Sequence, residues 1–169
     1  MLNNIGYLKI FQNKLDDAVS YLQESLEIRR KLFVSCGVAF WLEYSDTLNK
    51  LGYCKTLQNK LDDAEIYLKR ALDVQKDIMK IYRDPFIDQF AITQNYLGFL
   101  NYLKEDYPES KNNFEESLAI QKKLVDKYPK IYRLDYLDTL KKYAQLLTKL
   151  SLSTDIMTIN KEIEKYSID

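Results

Sequence analysis

The heptapeptide QNKLDDA occupies residues 12–18 and recurs without a change at residues 58–64, a step of 46 residues. The same step relates three glycines, Gly6, Gly52 and Gly98. A constant period of about 20 to 50 residues is typical of proteins built from stacked copies of one small structural unit. The sequence therefore predicts a repeat array in which each unit buries its apolar face against its neighbours.

Apolar residues follow the same 46-residue step before and after each glycine. Upstream of the glycines, the step relates the aromatic residues Phe40, Phe86 and Tyr132. Within one unit, Leu48 and Leu51 continue a stripe of apolar residues at spacings of three and four. This spacing predicts amphipathic helices rather than strands.

Helix ends are marked within each unit. Asn13 and Asn59 follow the last apolar residue of a helix, and asparagine tolerates the left-handed backbone that ends many helices. Acidic pairs at residues 16–17 and 62–63 suit the positive end of a new helix, and Pro108 takes that place in the third copy. We predict an all-α fold with helices at about 2–12, 15–35, 39–57, 61–82, 86–104, 108–128, 131–150 and 154–166.

These seven to eight helices predict one domain over residues 1–169, composed of antiparallel pairs. Its repeats are expected at about 1–37, 38–83 and 84–129, followed by a degenerate copy at 130–150. A last helix at about 153–167 carries Ile156, Ile159, Ile163 and Tyr166 on one face and polar residues on the other. This pattern suits a capping helix that closes the end of a stack.

Composition excludes several classes of function. The 25 basic and 25 acidic residues balance, so charge gives no reason to expect nucleic acid or a membrane surface as partner. The chain has no histidine, which removes histidine-based catalysis and most zinc sites. No apolar run is long enough to span a bilayer, and Cys36 and Cys54 form no metal motif. We expect a cytoplasmic protein with two reduced thiols, without cofactor or metal.

Adjacent carboxylates at residues 16–17, 62–63 and 115–116 are candidates for acid–base chemistry. They lie at predicted helix starts or on exposed helix faces, where helix capping and solvation explain them. The sequence also lacks a glycine-rich phosphate loop. We therefore predict that the chain has no catalytic residues and is not an enzyme.

The motif residues of the repeat resemble those of the tetratricopeptide repeat. Leu48, Leu51 and Gly52 match the start of that family's pattern, and Ala64 and Leu68 match its second helix. The third copy is represented by Leu97, Gly98, Tyr107, Ser110 and Phe114. The family's closing proline is absent, which lets the second helix continue and lengthens the period from about 34 residues. This long variant is similar to the repeats of kinesin light chain and of bacterial and archaeal relatives.

The resemblance implies a right-handed α–α superhelix whose first helices line a concave face. It implies a partner that is a protein or peptide, held there as an extended segment. Carried over to this sequence, the implied peptide-binding groove contains Asn3, Tyr7, Asp46, Asn49, Lys50, Tyr53, Thr56, Asn95, Phe99 and Tyr102.

Asn3, Asn49 and Asn95 form a column at the 46-residue step. An asparagine amide carries a donor and an acceptor, so the column can pair with the backbone of an extended ligand. The same amides can instead form hydrogen bonds between helices of the stack. The sequence leaves both interpretations open.

Three functions follow from the resemblance. The first is a non-catalytic scaffold that binds a protein or peptide in its concave groove. The second is a structural, self-assembling segment, either a homo-oligomer joined through its terminal hairpins or a fragment of a larger repeat protein. The third is a peptide-sensing regulatory domain. The second is favoured by the short first helix, which we expect to leave Ile5, Leu8 and Leu22 partly open.

Overall fold

The computed structural model describes residues 1–36, 40–81 and 87–167, and these residues form eight α-helices and no strand. The helices are α1 (Leu2–Phe11), α2 (Leu15–Cys36), α3 (Trp41–Leu57), α4 (Leu61–Ile81), α5 (Ile87–Leu103), α6 (Tyr107–Lys127), α7 (Pro129–Lys149) and α8 (Ser153–Ser167). The predicted all-α repeat fold is confirmed. Predicted and observed helix limits differ by at most two residues, and the limits predicted at residues 39, 82 and 86 lie outside the described residues.

Each hairpin turns through one residue with a left-handed backbone. The φ angle is 56° at Asn13, 58° at Asn59, 61° at Glu105 and 58° at Ser151. After α3, the N–H of Lys60 donates to the carbonyl of Lys55 at 2.9 Å, which satisfies one of the carbonyls left open at a helix end. The same turn therefore recurs every 46 residues and also joins α7 to α8.

Glycine allows the two helices of a hairpin to cross closely. A β-carbon at Gly52 would lie 2.5 Å from Cγ of Leu68, and one at Gly6 would lie 2.6 Å from Cγ of Leu22. Both distances are far shorter than the optimal contact of about 3.5–4.0 Å between carbon atoms. The repeated glycine therefore fixes where the first helix meets the second.

Successive hairpins stack through one apolar position of the first helix. Cys54, Leu100 and Leu146 occupy this position at the 46-residue step and are fully buried. Cys54 contacts the preceding hairpin at Ala18 and Leu22. Burial raises the pKa of the Cys54 thiol to about 11, so this thiol is part of the core rather than a reactive group.

The first hairpin leaves this apolar position open. Leu8 is 60% exposed, whereas its counterparts on α3, α5 and α7 are buried. Ile5 is half-buried, as expected. The expectation that Leu22 is partly open is wrong, because Leu22 is enclosed between α1 and α3 and is fully buried.

At the other end, α8 packs with one face on the preceding helices. Ile156, Ile159, Ile163 and Tyr166 lie on that face and contact the clusters formed by α6 and α7. None of the residues of α8 is fully buried. Across the described ranges, no helix combines the length and the apolar character that crossing a membrane requires.

The turn at Glu105 predicts a stabilising substitution. A left-handed backbone costs a residue with a β-carbon roughly 1–2 kcal/mol, and glycine avoids this cost but loses more chain entropy on folding. Glu105→Gly should therefore raise the free energy of unfolding by about 0.5–1 kcal/mol, measured by urea denaturation. Asn59→Gly, at the same position of another hairpin, is the control and should change it by only a few tenths. A Glu105→Gly variant less stable than the parent would contradict this turn.

Candidate functional site

The first helices of all four hairpins, α1, α3, α5 and α7, line one groove with a volume of about 490 Å³. Its walls are formed by Tyr7, Phe11, Asp46, Asn49, Lys50, Tyr53, Ile92, Asn95, Tyr96, Gln121, Leu134, Asp135, Asp138 and Lys142. Gln121 is the contribution of a second helix, α6. First helices thus lie side by side along the groove, which is the arrangement that the family resemblance implies for the concave face.

Two positions of the repeat supply most of the polar chemistry of the groove. The first column is Asp46, Ile92 and Asp138, and the second is Lys50, Tyr96 and Lys142. Because residues four apart share a helix face, each of α3, α5 and α7 brings one member of each column into the groove. Tyr96 and Lys142 are absent from the residues predicted from sequence, although the 46-residue step from Lys50 points to both.

The columns form ion pairs on α3 and α7. Lys50 Nζ lies 2.6 Å from Asp46 Oδ2, and Lys142 Nζ lies 2.6 Å from Asp138 Oδ2. On α5, the two positions hold the uncharged side chains of Ile92 and Tyr96 instead. An uncharged segment therefore separates two segments whose charges are paired.

Asn3 and Asn95 bind the aspartates of these pairs. Asn3 Nδ2 donates to Asp46 Oδ2 at 2.8 Å, and Asn95 Nδ2 donates to Asp138 Oδ2 at 3.3 Å. The two asparagines are only 2% and 4% exposed. Each amide donor therefore joins one first helix to the next.

Asn49 bonds differently because its neighbour Ile92 offers no acceptor. Asn49 is 1% exposed, and its Oδ1 lies 3.0 Å from Oγ1 of Thr93. Thr93 Oγ1 also lies 2.8 Å from Oε1 of Gln75, and one hydroxyl proton cannot be donated to both acceptors. An amide turned so that Nδ2 donates to Thr93 Oγ1 gives the buried donor a partner. In all three copies, the geometry favours a helix–helix bond over a ligand ladder.

Three tyrosines and Phe11 form the aromatic part of the groove. The rings of Tyr53 and Tyr96 stack with their centroids 4.5 Å apart and an angle of 12° between their planes. Lys50 Nζ lies 5.1 Å from the centre of the Tyr7 ring, and Lys142 Nζ lies 5.3 Å from that of Tyr53. Such distances allow cation–π attraction. Burial raises the pKa of the Tyr96 phenol well above its usual value, so the hydroxyl stays protonated.

Asp135 differs from the other groove carboxylates. Asp46 and Asp138 are paired with lysines, whereas no ion pair joins Asp135 to another residue that the structure describes. Although the residue is exposed, loss of water to the surrounding groove atoms raises the pKa of its carboxyl, and the charge of Asp138 raises it further. Lys142 acts in the opposite direction but is bonded to Asp138.

Six residues predicted from sequence line the groove: Tyr7, Asp46, Asn49, Lys50, Tyr53 and Asn95. Four others lie outside its lining: Asn3, Thr56, Phe99 and Tyr102. Thr56 is buried and donates to the carbonyl of Gly52 in its own helix at 2.9 Å. Phe99 and Tyr102 pack against the cluster around Phe114.

A second concavity, of about 640 Å³, lies between α4 and α6. Its amides bond one another, because Asn101 Nδ2 donates to Asn113 Oδ1 at 2.8 Å and Asn113 Nδ2 donates to Gln94 Oε1 at 3.1 Å. Gln94 in turn donates to Glu116. This surface lacks the aromatic floor that ligand sites usually have, so the first groove is the stronger candidate.

The acidic pairs considered for catalysis have structural partners. Asp16 and Asp17 lie in the first turn of α2, where Asp17 is 3.4 Å from Nζ of Lys9. Glu115 accepts a hydrogen bond from the hydroxyl of Tyr143 at 2.8 Å. Within residues 1–36, 40–81 and 87–167, no three potential metal ligands come together.

Comparisons with known proteins agree with the fold. Residues 1–77 match the family model described as tetratricopeptide repeat. The crystal structure of BtubC (BKLC) from P. vanneervenii superposes with a TM-score of 0.73 at 17% sequence identity. That superposition covers 98% of this chain and 61% of BtubC, so this chain spans about three fifths of the length of that protein. A search of curated proteins found no match.

Asn95→Ala tests the role of the asparagine column. Loss of the bond to Asp138 should lower the free energy of unfolding by about 1–2 kcal/mol. Asn112→Ala, an exposed asparagine on α6, is the matched control and should stay within about 0.5 kcal/mol of the parent. Chemical denaturation measures both. Equal stability of the two variants would indicate that the Asn95 amide is free for a ligand.

Proposed function

We propose that this chain, whose residues 1–77 match the tetratricopeptide repeat family model, is a non-catalytic scaffold that holds an extended segment of another protein. Tetratricopeptide repeats generally mediate interactions between proteins. The observation that carries the proposal is the single groove to which the first helices of four hairpins contribute. A regulatory, peptide-sensing role would use the same groove.

The dimensions of the groove suit an extended peptide. Neighbouring packed helices lie about 8–10 Å apart, so four first helices side by side span roughly 25–30 Å. An extended chain rises about 3.3 Å per residue. The groove therefore accommodates a segment of about eight or nine residues.

The rim of the groove carries apolar side chains that a ligand can cover. Leu134, on α7, is 71% exposed, and Phe11, at the end of α1, is also largely exposed. The floor between them offers stacked tyrosines and lysines whose charges are already paired. Apolar surface rimmed by polar groups is typical of protein interaction sites.

Photo-crosslinking tests this location. Leu134 is replaced by p-benzoylphenylalanine in one variant and Ile66 in a matched control, because Ile66 is 68% exposed on α4, outside the groove. Each variant is irradiated with a pool of random decapeptides displayed on phage, after selection on the parent protein. We expect adducts at position 134 and none above background at position 66. Adducts at position 66 alone, or no selected peptide, would contradict the proposed function.

Self-assembly is a second candidate because one observation favours it. Leu8 is open at the position where Cys54, Leu100 and Leu146 are each covered by a neighbouring hairpin. A hairpin from a second copy of the chain can cover Leu8 in the same way. The surface is apolar, so association would be driven by burial of hydrophobic area.

Analytical ultracentrifugation tests this second candidate. If copies associate through α1, the average mass of the parent should rise with concentration, and Leu8→Glu should abolish the rise. Ile66→Glu places the same charge on an equally exposed aliphatic position of α4 and should leave the rise unchanged. A parent that stays monomeric over the concentration range would contradict self-assembly.

A further inference from the structure

We infer that the bound segment carries one lysine or arginine whose cation lies against Asp135 in the groove, beside the phenol groups of Tyr7 and Tyr96. The inference rests on the proposed function, since it names the side chain that the groove selects. It follows from the charges of the groove lining, from the position of its phenols and from one unpaired buried acceptor.

One carboxylate of the groove lining has no ion pair among the described residues. Its lining contains three aspartates, Asp46, Asp135 and Asp138, and two lysines, Lys50 and Lys142. Each lysine is within 2.6 Å of an aspartate on its own helix. Asp46 also lies 3.5 Å from the guanidinium of Arg29, which is outside the lining. Asp135 is thus the acidic residue of the lining without an ion pair among the described residues, and a bound cation can pair with it.

The surroundings of Asp135 favour a positive ligand. Its carboxyl is partly desolvated and lies close enough to Asp138 for the two charges to repel, so its pKa is raised. The attraction of a lysine or arginine head group offsets both effects, because an opposite charge stabilises the ionised carboxylate. A bound acidic side chain would instead add a third repelling charge.

Tyrosine phenols supply further contacts for the same cation. Tyr7, Tyr96 and Asp135 line the same groove. Burial, together with the charge of Asp135, raises the pKa of both phenols. Phenol oxygens accept hydrogen bonds from ammonium and guanidinium groups. Aromatic rings also attract cations, as the positions of Lys50 over Tyr7 and Lys142 over Tyr96 illustrate.

The groove lining also contains a buried acceptor without a partner. Asn95 lines the groove and is 4% exposed. Its Nδ2 donates to Asp138, a group that only accepts while ionised, so the amide orientation is fixed with Oδ1 as the remaining acceptor. Oδ1 is buried and has no partner among the described residues. A donor of the bound segment, such as an ammonium, guanidinium or backbone N–H group, can satisfy it.

The paired lysines argue against a carboxylate ligand. Lys50 and Lys142 are each bonded to an aspartate and lie over tyrosine rings. An acidic side chain or a C-terminal carboxylate bound at either lysine would lie beside the carboxylate of Asp46 or Asp138, which repels it. The groove therefore discriminates in favour of a basic side chain.

The experiment selects decapeptides from a random phage library on the parent protein and measures their affinities by fluorescence anisotropy. We expect lysine or arginine at one fixed position of the selected peptides. Asp135→Asn should weaken binding roughly 10- to 100-fold, the value of one charge-assisted hydrogen bond. Asp73→Asn, an exposed aspartate on α4, is the matched control and should change the affinity less than twofold.

A double-mutant cycle distinguishes direct contact from a general effect. Replacing the basic residue of the peptide by glutamine should weaken binding to the parent, and Asp135→Asn should then cause no further loss. Asp135→Ser should behave as Asp135→Asn does, and circular dichroism should show both variants folded.

Two outcomes separate the inference from the proposed function. If no peptide is selected at all, the proposed function fails, and the inference fails with it. If peptides are selected but lack a fixed basic position, or if Asp135→Asn and Asp73→Asn bind equally well, the inference alone is overturned and the groove remains a peptide site.

Discussion

The close crossing of two helices at a glycine is the constraint on which the rest of the structure depends. At Gly6, Gly52 and Gly98, a β-carbon would lie within 2.9 Å of a side chain of the following helix. The crossing fixes how the first helix of each hairpin is rotated against the second. The glycine recurs every 46 residues on α1, α3 and α5, and the small residue Ala144 takes its place on α7. All first helices therefore present the same positions to the same side. The groove is the consequence of this repetition.

Once the helices are aligned, two side-chain positions determine the chemistry of the groove. Where they hold aspartate and lysine, on α3 and α7, the charges pair with each other and with an asparagine of the preceding first helix. Where they hold Ile92 and Tyr96, the asparagine turns to Thr93 and the floor becomes aromatic. Asp135 lies outside both columns and forms no ion pair with another residue that the structure describes.

The sequence predicted the helices well because their signals are local or periodic. The asparagines at the hairpin turns indicate a left-handed backbone, which the structure has at Asn13 and Asn59. The repeated glycines lie where the following helix leaves no space for a β-carbon. The left-handed turns at Glu105 and Ser151 could be predicted only from the 46-residue step, because neither glutamate nor serine favours a left-handed backbone.

The groove was only partly predictable from sequence. A period shows that positions are equivalent, but it does not show which neighbours they contact. Thr56 was therefore included in the predicted site although its hydroxyl donates to a carbonyl of its own helix. For the same reason, the sequence did not decide whether the asparagine column binds a ligand or joins helices. Tyr96 and Lys142 were missed because their column changes residue type from lysine to tyrosine and back. Asp135 has no acidic counterpart 46 residues earlier, where the chain has Gln89.

Chemical-shift mapping by NMR tests the central claim, that the concave groove is the binding surface, most directly. A peptide selected on the parent protein is titrated into the isotope-labelled chain, and backbone amide shifts are followed. The account predicts the largest changes on α3, α5 and α7, around Tyr53, Tyr96 and Lys142. Changes concentrated on α4 and α6, around Lys69 and Asn112 in the second concavity, with the groove amides unmoved, would contradict it.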